Sequence, residues 1–121
     1  MADRTFFAVV EIVLAGNGEG VGEYEVGAGN TFTIKRIQQK STGAFDIIDL
    51  ADNFGNRYTN ASVSEPIGGN LFTDIEADNN NPADLTDPIV IKNNGRFQAT
   101  VKDTSGSANT VYFFLEGMLT N

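Results

Sequence analysis

A chain of 121 residues with no cysteine and no histidine cannot build a disulfide, a thiolate metal site, a histidine-liganded zinc centre or a histidine-based triad. Sixteen acidic against eight basic residues give a formal charge of -8, the wrong sign for gripping a nucleic-acid backbone and a favourable one for solubility. Nine Phe and thirteen Gly, with plentiful Thr and Asn, point to one domain of strands joined by Gly/Asn turns.

Residues 5–14 predict a strand with Phe6, Ala8, Val10, Ile12 and Leu14 on one face and Phe7, Val9 and Val13 on the other. This run is about half a membrane span, Glu11 interrupts it and no net positive charge precedes it, so neither a transmembrane helix nor a signal peptide is expected. Residues 16–22, Gly-Asn-Gly-Glu-Gly-Val-Gly, read as a flexible loop. The glycines do not fit G-x-G-x-x-G, and no lysine follows in phosphate-loop spacing. A short strand at 23–26 and a turn at 27–30 lead to a strand at 31–37, where Phe32 and Ile34 alternate with Thr33 and Lys35. In the strand at 44–50 the apolar phase slips from Phe45 and Ile47 to Ile48 and Leu50, as a β-bulge produces. A turn at 52–55, a short near-edge strand at 57–63, a break at 66–69 and an extended run at 71–75 follow. Residues 76–88 read as a long polar loop. Residues 88–117 then predict a three-strand antiparallel meander, central to a sheet, with Asn94-Gly95 as its tight hairpin turn and 103–106 as its second turn.

No stretch shows helical periodicity over ten residues. The fold class expected is all-β: a single-domain two-sheet sandwich, jelly-roll-like and mostly antiparallel, with a partly open barrel as the alternative. Its core candidates are Val10, Ile12, Phe32, Ile34, Phe45, Ile47, Phe97, Ala99, Val101, Val111, Phe113 and Leu115. A weak internal echo supports two related halves. Gly43-Ala-Phe45 leads to Asp52-x-x-Gly55, and Gly95-Arg-Phe97 leads to Asp103-x-x-Gly106, one residue shorter, as a bulge in the first copy requires.

Chemical motifs are sparse. Asp46 and Asp49 point to opposite faces of a regular strand, so they form no catalytic pair without the bulge. The acids Asp74, Glu76, Asp78, Asp84 and Asp87 could surround calcium, but their spacing misses the D-x-[DN]-x-[DN]-G loop, and a solvated loop is the plainer reading. The serines have no histidine to activate them. Asn60-Ala61-Ser62 is a glycosylation sequon by pattern alone. Tyr24, Tyr58 and Tyr112 could stack on a sugar, although they come from separate strands. No catalytic residue, cofactor or metal ligand is assigned. The remaining signal is apolar residues on both faces of two strands. Opposite the buried stripes lie Phe7, Val9 and Val13 in the first strand and Tyr112 and Phe114 in the last, and these five are the interface candidates. They predict self-assembly, unless the 64–88 segment folds over them.

From residue 31 onward the chain resembles the small β-rich decoration, or cement, proteins of tailed-phage capsids. The resemblance rests on S-T-G-A-F-D-I-I-D-L-A-D (41–52), G-N-R-Y-T-N (55–60), D-P-I-V-I-K-N-N-G-R-F-Q-A-T-V-K-D (87–103) and S-G-S-A-N-T-V-Y-F-F-L-E-G (105–117), about seven-tenths of the chain. These are strand and turn types, with no catalytic signature among them. The resemblance implies a non-enzymatic virion protein, made in the host cytoplasm, that binds the major capsid protein on the capsid surface. It also implies a homo-oligomer, for which a trimer would suit, with no nucleic-acid or membrane partner. A carbohydrate- or receptor-binding β-sandwich module is the alternative.

Overall fold

A computed structural model describes residues 3–74 and 84–121, and no helix occurs among them. The strands are β1 (Asp3–Leu14), β2 (Glu19–Glu25), β3 (Thr31–Ser41), β4 (Phe45–Asp52), β5 (Ile67–Gly68), β6 (Thr73–Asp74), β7 (Asp84–Ile91), β8 (Arg96–Asp103) and β9 (Asn109–Thr120). One sheet runs β1-β9-β3, with β6 and β7 sharing the far side of β3, and the other runs β2-β8-β4-β5. All these pairings are antiparallel except the two-residue contact of β6 with β3. The chain changes sheet at most connections, so strands distant in sequence become neighbours. That order is the winding of a jelly roll.

Every expected core residue is in the core. Alternation sends Ala8, Val10, Ile12 and Leu14 of β1 and Val111, Phe113 and Leu115 of β9 inward, against Phe97, Ala99 and Val101 of β8 and Phe45, Ile47 and Leu50 of β4. The expected bulge is present: the β4–β8 register shifts between Ile47 and Asp49, which buries Ile47 and Ile48 in succession. The echo proves to be a pair of adjacent strands. Phe45 lies opposite Asp103, and Asp52 opposite Phe97. Both D-x-x-G turns end on a glycine at positive φ, 94° at Gly55 and 80° at Gly106. A second bulge, unannounced in the sequence, shifts β3 between Ile34 and Arg36 against both β9 and β7. Gly117 sits opposite Ile34, where a Cβ would run into the Thr33 carbonyl oxygen, so the two backbones approach as only glycine permits.

Several expectations are corrected. The 88–117 meander does not exist: β7 and β9 both pair with β3, whereas β8 lies in the opposite sheet. Asn94-Gly95 therefore turns the chain between sheets. Residues 16–22 are only partly loop, because β2 begins at Glu19. Gly20 and Gly22 belong to it because the Ile12 and Leu14 side chains press on them from β1; a Cβ at Gly22 would also lie 2.8 Å from Val10 Cγ1. Residues 57–63 form no strand beyond a single bridge between Ala51 and Arg57. Instead Arg57 ties this loop down, donating to Asp49 at 3.0 Å and to the Ala61 carbonyl at 2.7 Å. The polar loop expected at 76–88 overlaps β7, which already starts at Asp84. Residues 75–83 lie outside the described residues, so the rest of that expectation falls there.

Candidate functional site

In β1 and β9 the odd- and even-numbered residues that avoid the core point to one surface, the outer face of the larger sheet. Register places them in rows across β1, β9 and β3: Val9–Phe114–Gln38, then Glu11–Tyr112–Lys40, with Phe7–Glu116–Arg36 on the other side. All five interface candidates thus converge on this face. Phe7 is 65 % exposed, Val9 54 % and Val13 72 %, while Tyr112 and Phe114 are half-buried and stacked on each other, centroids 6.2 Å apart at 15°. Val90 of β7 and Met118 of β9 extend the face across Thr33. Sequence reading missed both, although Val90 alternates with the inward Ile89 and Ile91. A shallow depression of about 300 Å³ lies beside the apolar stripe. It is lined by Thr5, Lys35, Arg36, Asp84, Glu116 and Met118. Arg36 bonds Asp84 and approaches Glu116 to 3.3 Å, and these two carboxylates, Asp84 foremost, raise its already basic guanidinium further. The described part of the 64–88 segment does not cover the stripe: β5 pairs with β4 in the other sheet, and β6 and β7 run along the far side of β3.

The bulge at Ile48 does turn Asp46 and Asp49 to the same, outer side of the smaller sheet, opposite Lys102 and Thr100. Asp49 is taken up by Arg57, which makes it an anchor for the loop. Asp52 is buried and accepts from the Phe54 and Asn56 amides, the Asn56 side chain and the Tyr58 hydroxyl. Burial pushes its carboxyl up, but the Asn56, Phe54 and Tyr58 donors together outweigh that and hold it below the usual range. Asp103 is buried too, and accepts from Asn17 N, both the amide and hydroxyl of Ser105, Gly106 N and Asn109 Nδ2. The Ser105 hydroxyl leads these donors, which override burial and hold the carboxyl far below the usual range. A carboxylate so stabilised is a poor base, so the 2.6 Å contact between Ser105 Oγ and Asp103 fixes a turn and does not activate a nucleophile.

The tyrosines do not form one platform. Tyr24 packs with Phe6 and Phe32; Tyr58 stacks on the core residue Phe97; and Tyr112 lies on the outer face of the larger sheet. Burial first, then the Asp52 charge, raises the Tyr58 hydroxyl well above its ordinary value. Tyr58 also borders an apolar cleft of about 310 Å³ with Ile37, Leu50, Leu71, Phe72 and Leu85, but its polar tip is directed to Asp52. Among the described residues no three acids converge on a point where a metal could bind, and Glu76 and Asp78 of the suspected calcium loop lie outside them. Compared with family models, with curated proteins and with solved structures, the chain finds no significant match.

Proposed function

We propose that this protein is a non-enzymatic structural component of a tailed-phage virion: a decoration, or cement, protein that assembles as a homo-oligomer and binds the major capsid protein on the capsid surface. The resemblance in residues 41–117 supports the class. The observation that carries the reading is the outer face of the larger sheet, where Phe7, Val9, Val13, Tyr112 and Phe114 form one apolar stripe on a chain of charge -8. A solvated sheet face is normally polar, and a broad exposed apolar patch marks a contact surface. Such a protein works by area. Bridging neighbouring capsid subunits opposes the outward pressure of packed DNA without any bond being made or broken.

The test is co-sedimentation of the purified protein with capsid shells, together with the shells' resistance to heat. Binding that saturates at a fixed ratio to capsid subunits and raises the temperature of shell disruption is the expected result. Failure to bind any of a panel of phage capsids, with specific binding on a glycan array, would replace this reading by the carbohydrate-binding one.

A further inference from the structure

The outer face of the larger sheet matches its own reverse, and we propose that its occupant is a second copy of this chain, related by a two-fold axis running along β9. The inference rests on the self-assembly part of the proposed function and names the partner and the register. β1, β9 and β3 set Glu11, Tyr112 and Lys40 side by side in one row. Turning the face over about β9 keeps each row at its height and exchanges its flanks. Glu11 of each copy then lies over Lys40 of the other, with the two Tyr112 rings between them. In the next row Phe114 meets its own counterpart, and Val9 covers the stem of Gln38. The stacked Tyr112–Phe114 pair of one copy thereby meets the same pair of the other, where aromatic contacts gain from offset or edge-on packing. Glu116 also faces its counterpart, but each is matched by Arg36 of its own chain.

Area and charge agree with this occupant. Three strands about twelve residues long cover roughly 600 Å² at ~3.4 Å per residue and ~4.8 Å between strands. Two copies then bury roughly 1,200 Å², the lower bound for a specific, stable interface. On these strands and β7, the acids Asp3, Glu11, Glu116, Asp84 and Asp87 are nearly balanced by Arg4, Lys35, Arg36 and Lys40, so a like-charged copy can approach here. A ring of three needs two different complementary patches, whereas a surface that matches itself closes as a pair.

Light scattering at micromolar concentration should give twice the 13.0 kDa chain mass. Glu11→Lys should raise the dissociation constant by on the order of tenfold, since two attractive contacts become repulsive. Combining it with Lys40→Glu should restore the wild-type value. Phe114→Asp should give a monomer whose far-UV circular dichroism remains that of a β protein. Because Glu11 is an exposed side chain, the charge swap tests the pairing without disturbing the core. A wild-type monomer, a trimeric mass, or a double variant no tighter than Glu11→Lys alone would each overturn the proposal. A monomer that still co-sediments with capsids defeats the pairing and leaves the decoration reading standing. A dimer that shows the charge rescue but binds no capsid supports the pairing and removes that reading.

Discussion

Among the described residues, Asp103 and Asp52 are buried carboxylates that each gather several donors, and both use them to hold turns. Asp103 draws Asn17, from the β1–β2 corner, onto the β8–β9 turn, and Asn109 in addition binds the Ala44 carbonyl. Its folded carboxyl titrates below the unfolded one, so the stabilisation is complete above the unfolded value of about 3.9 and is lost as pH falls from there through the folded value. Asp52 contributes with the same sign. The melting temperature should therefore hold from neutral pH to about pH 5 and fall steeply below about pH 4. Asp103→Asn should melt lower than wild type at pH 7, because an amide cannot accept from donors on both of its atoms. In strong acid the two curves should converge, since a protonated Asp103 resembles the amide. Thermal melts that stay parallel across the range would show that the carboxylate charge is not what these donors hold. The turn role of each D-x-x-G was legible in the sequence. The reach to Asn17 was not, because it spans 86 residues and depends on the sheets closing.

Strand content, core phase and the first bulge were legible at the element scale because each leaves a local periodic trace. Sheet membership leaves none. Asn94-Gly95 carries the residue types of a hairpin, and its geometry is tight, with Gly95 N donating to Lys92 O at 2.6 Å. The same turn bonds to Val26, just past the end of β2, and that contact carries the chain across to the other sheet. Alternation fixes which residues point inward from β7, β8 and β9, and it is identical whether the next strand is a neighbour or lies across the core. The second bulge was hidden for a related reason: Lys35-Arg36 reads as an ordinary polar step until Gly117 is found opposite Ile34 and Glu116 opposite Arg36, with Lys35 left over between them. Gly95 also turns out to be needed for space. Asn94 takes the positive φ of 62°, whereas a Cβ on Gly95 would lie 2.7 Å from Lys92 O and Phe54 Cε2 and 2.8 Å from Ile91 Cγ2. Gly95→Val should lower stability by about 2 kcal/mol or more through overpacking. Asn94→Gly, which relieves a strained backbone, should change it by only a few tenths of a kcal/mol. Urea unfolding of both variants distinguishes the cases, and an undisturbed Gly95→Val would refute the crowding.

For the whole molecule, the interface candidates were legible because β1 and β9 each carried two apolar faces. Their convergence on one surface was not, since it required β1 and β9 to be neighbours across almost the full chain. The proposed assembly through that surface would proceed against the charge of -8 on each copy. Two stacked sandwiches place their centres about 20 Å apart, given ~10 Å between packed sheets. At that distance in water the repulsion is several kcal/mol at 0.01 M salt, where the screening length is ~30 Å, and falls to about 1 kcal/mol at 0.15 M, where it is ~8 Å. The two Glu11–Lys40 contacts act the other way with salt, but exposed pairs contribute only about 0.2–1 kcal/mol each. Repulsion therefore dominates the salt dependence, while burial of Phe7, Val9, Tyr112 and Phe114 supplies the attraction and is little affected over this range. The dimer should be tighter at 0.15 M than at 0.01 M, and a dilution series followed by light scattering at both salts measures the difference. Weaker association at the higher salt would mean that ion pairs hold the copies together, and the apolar stripe would lose its place as the source of the contact.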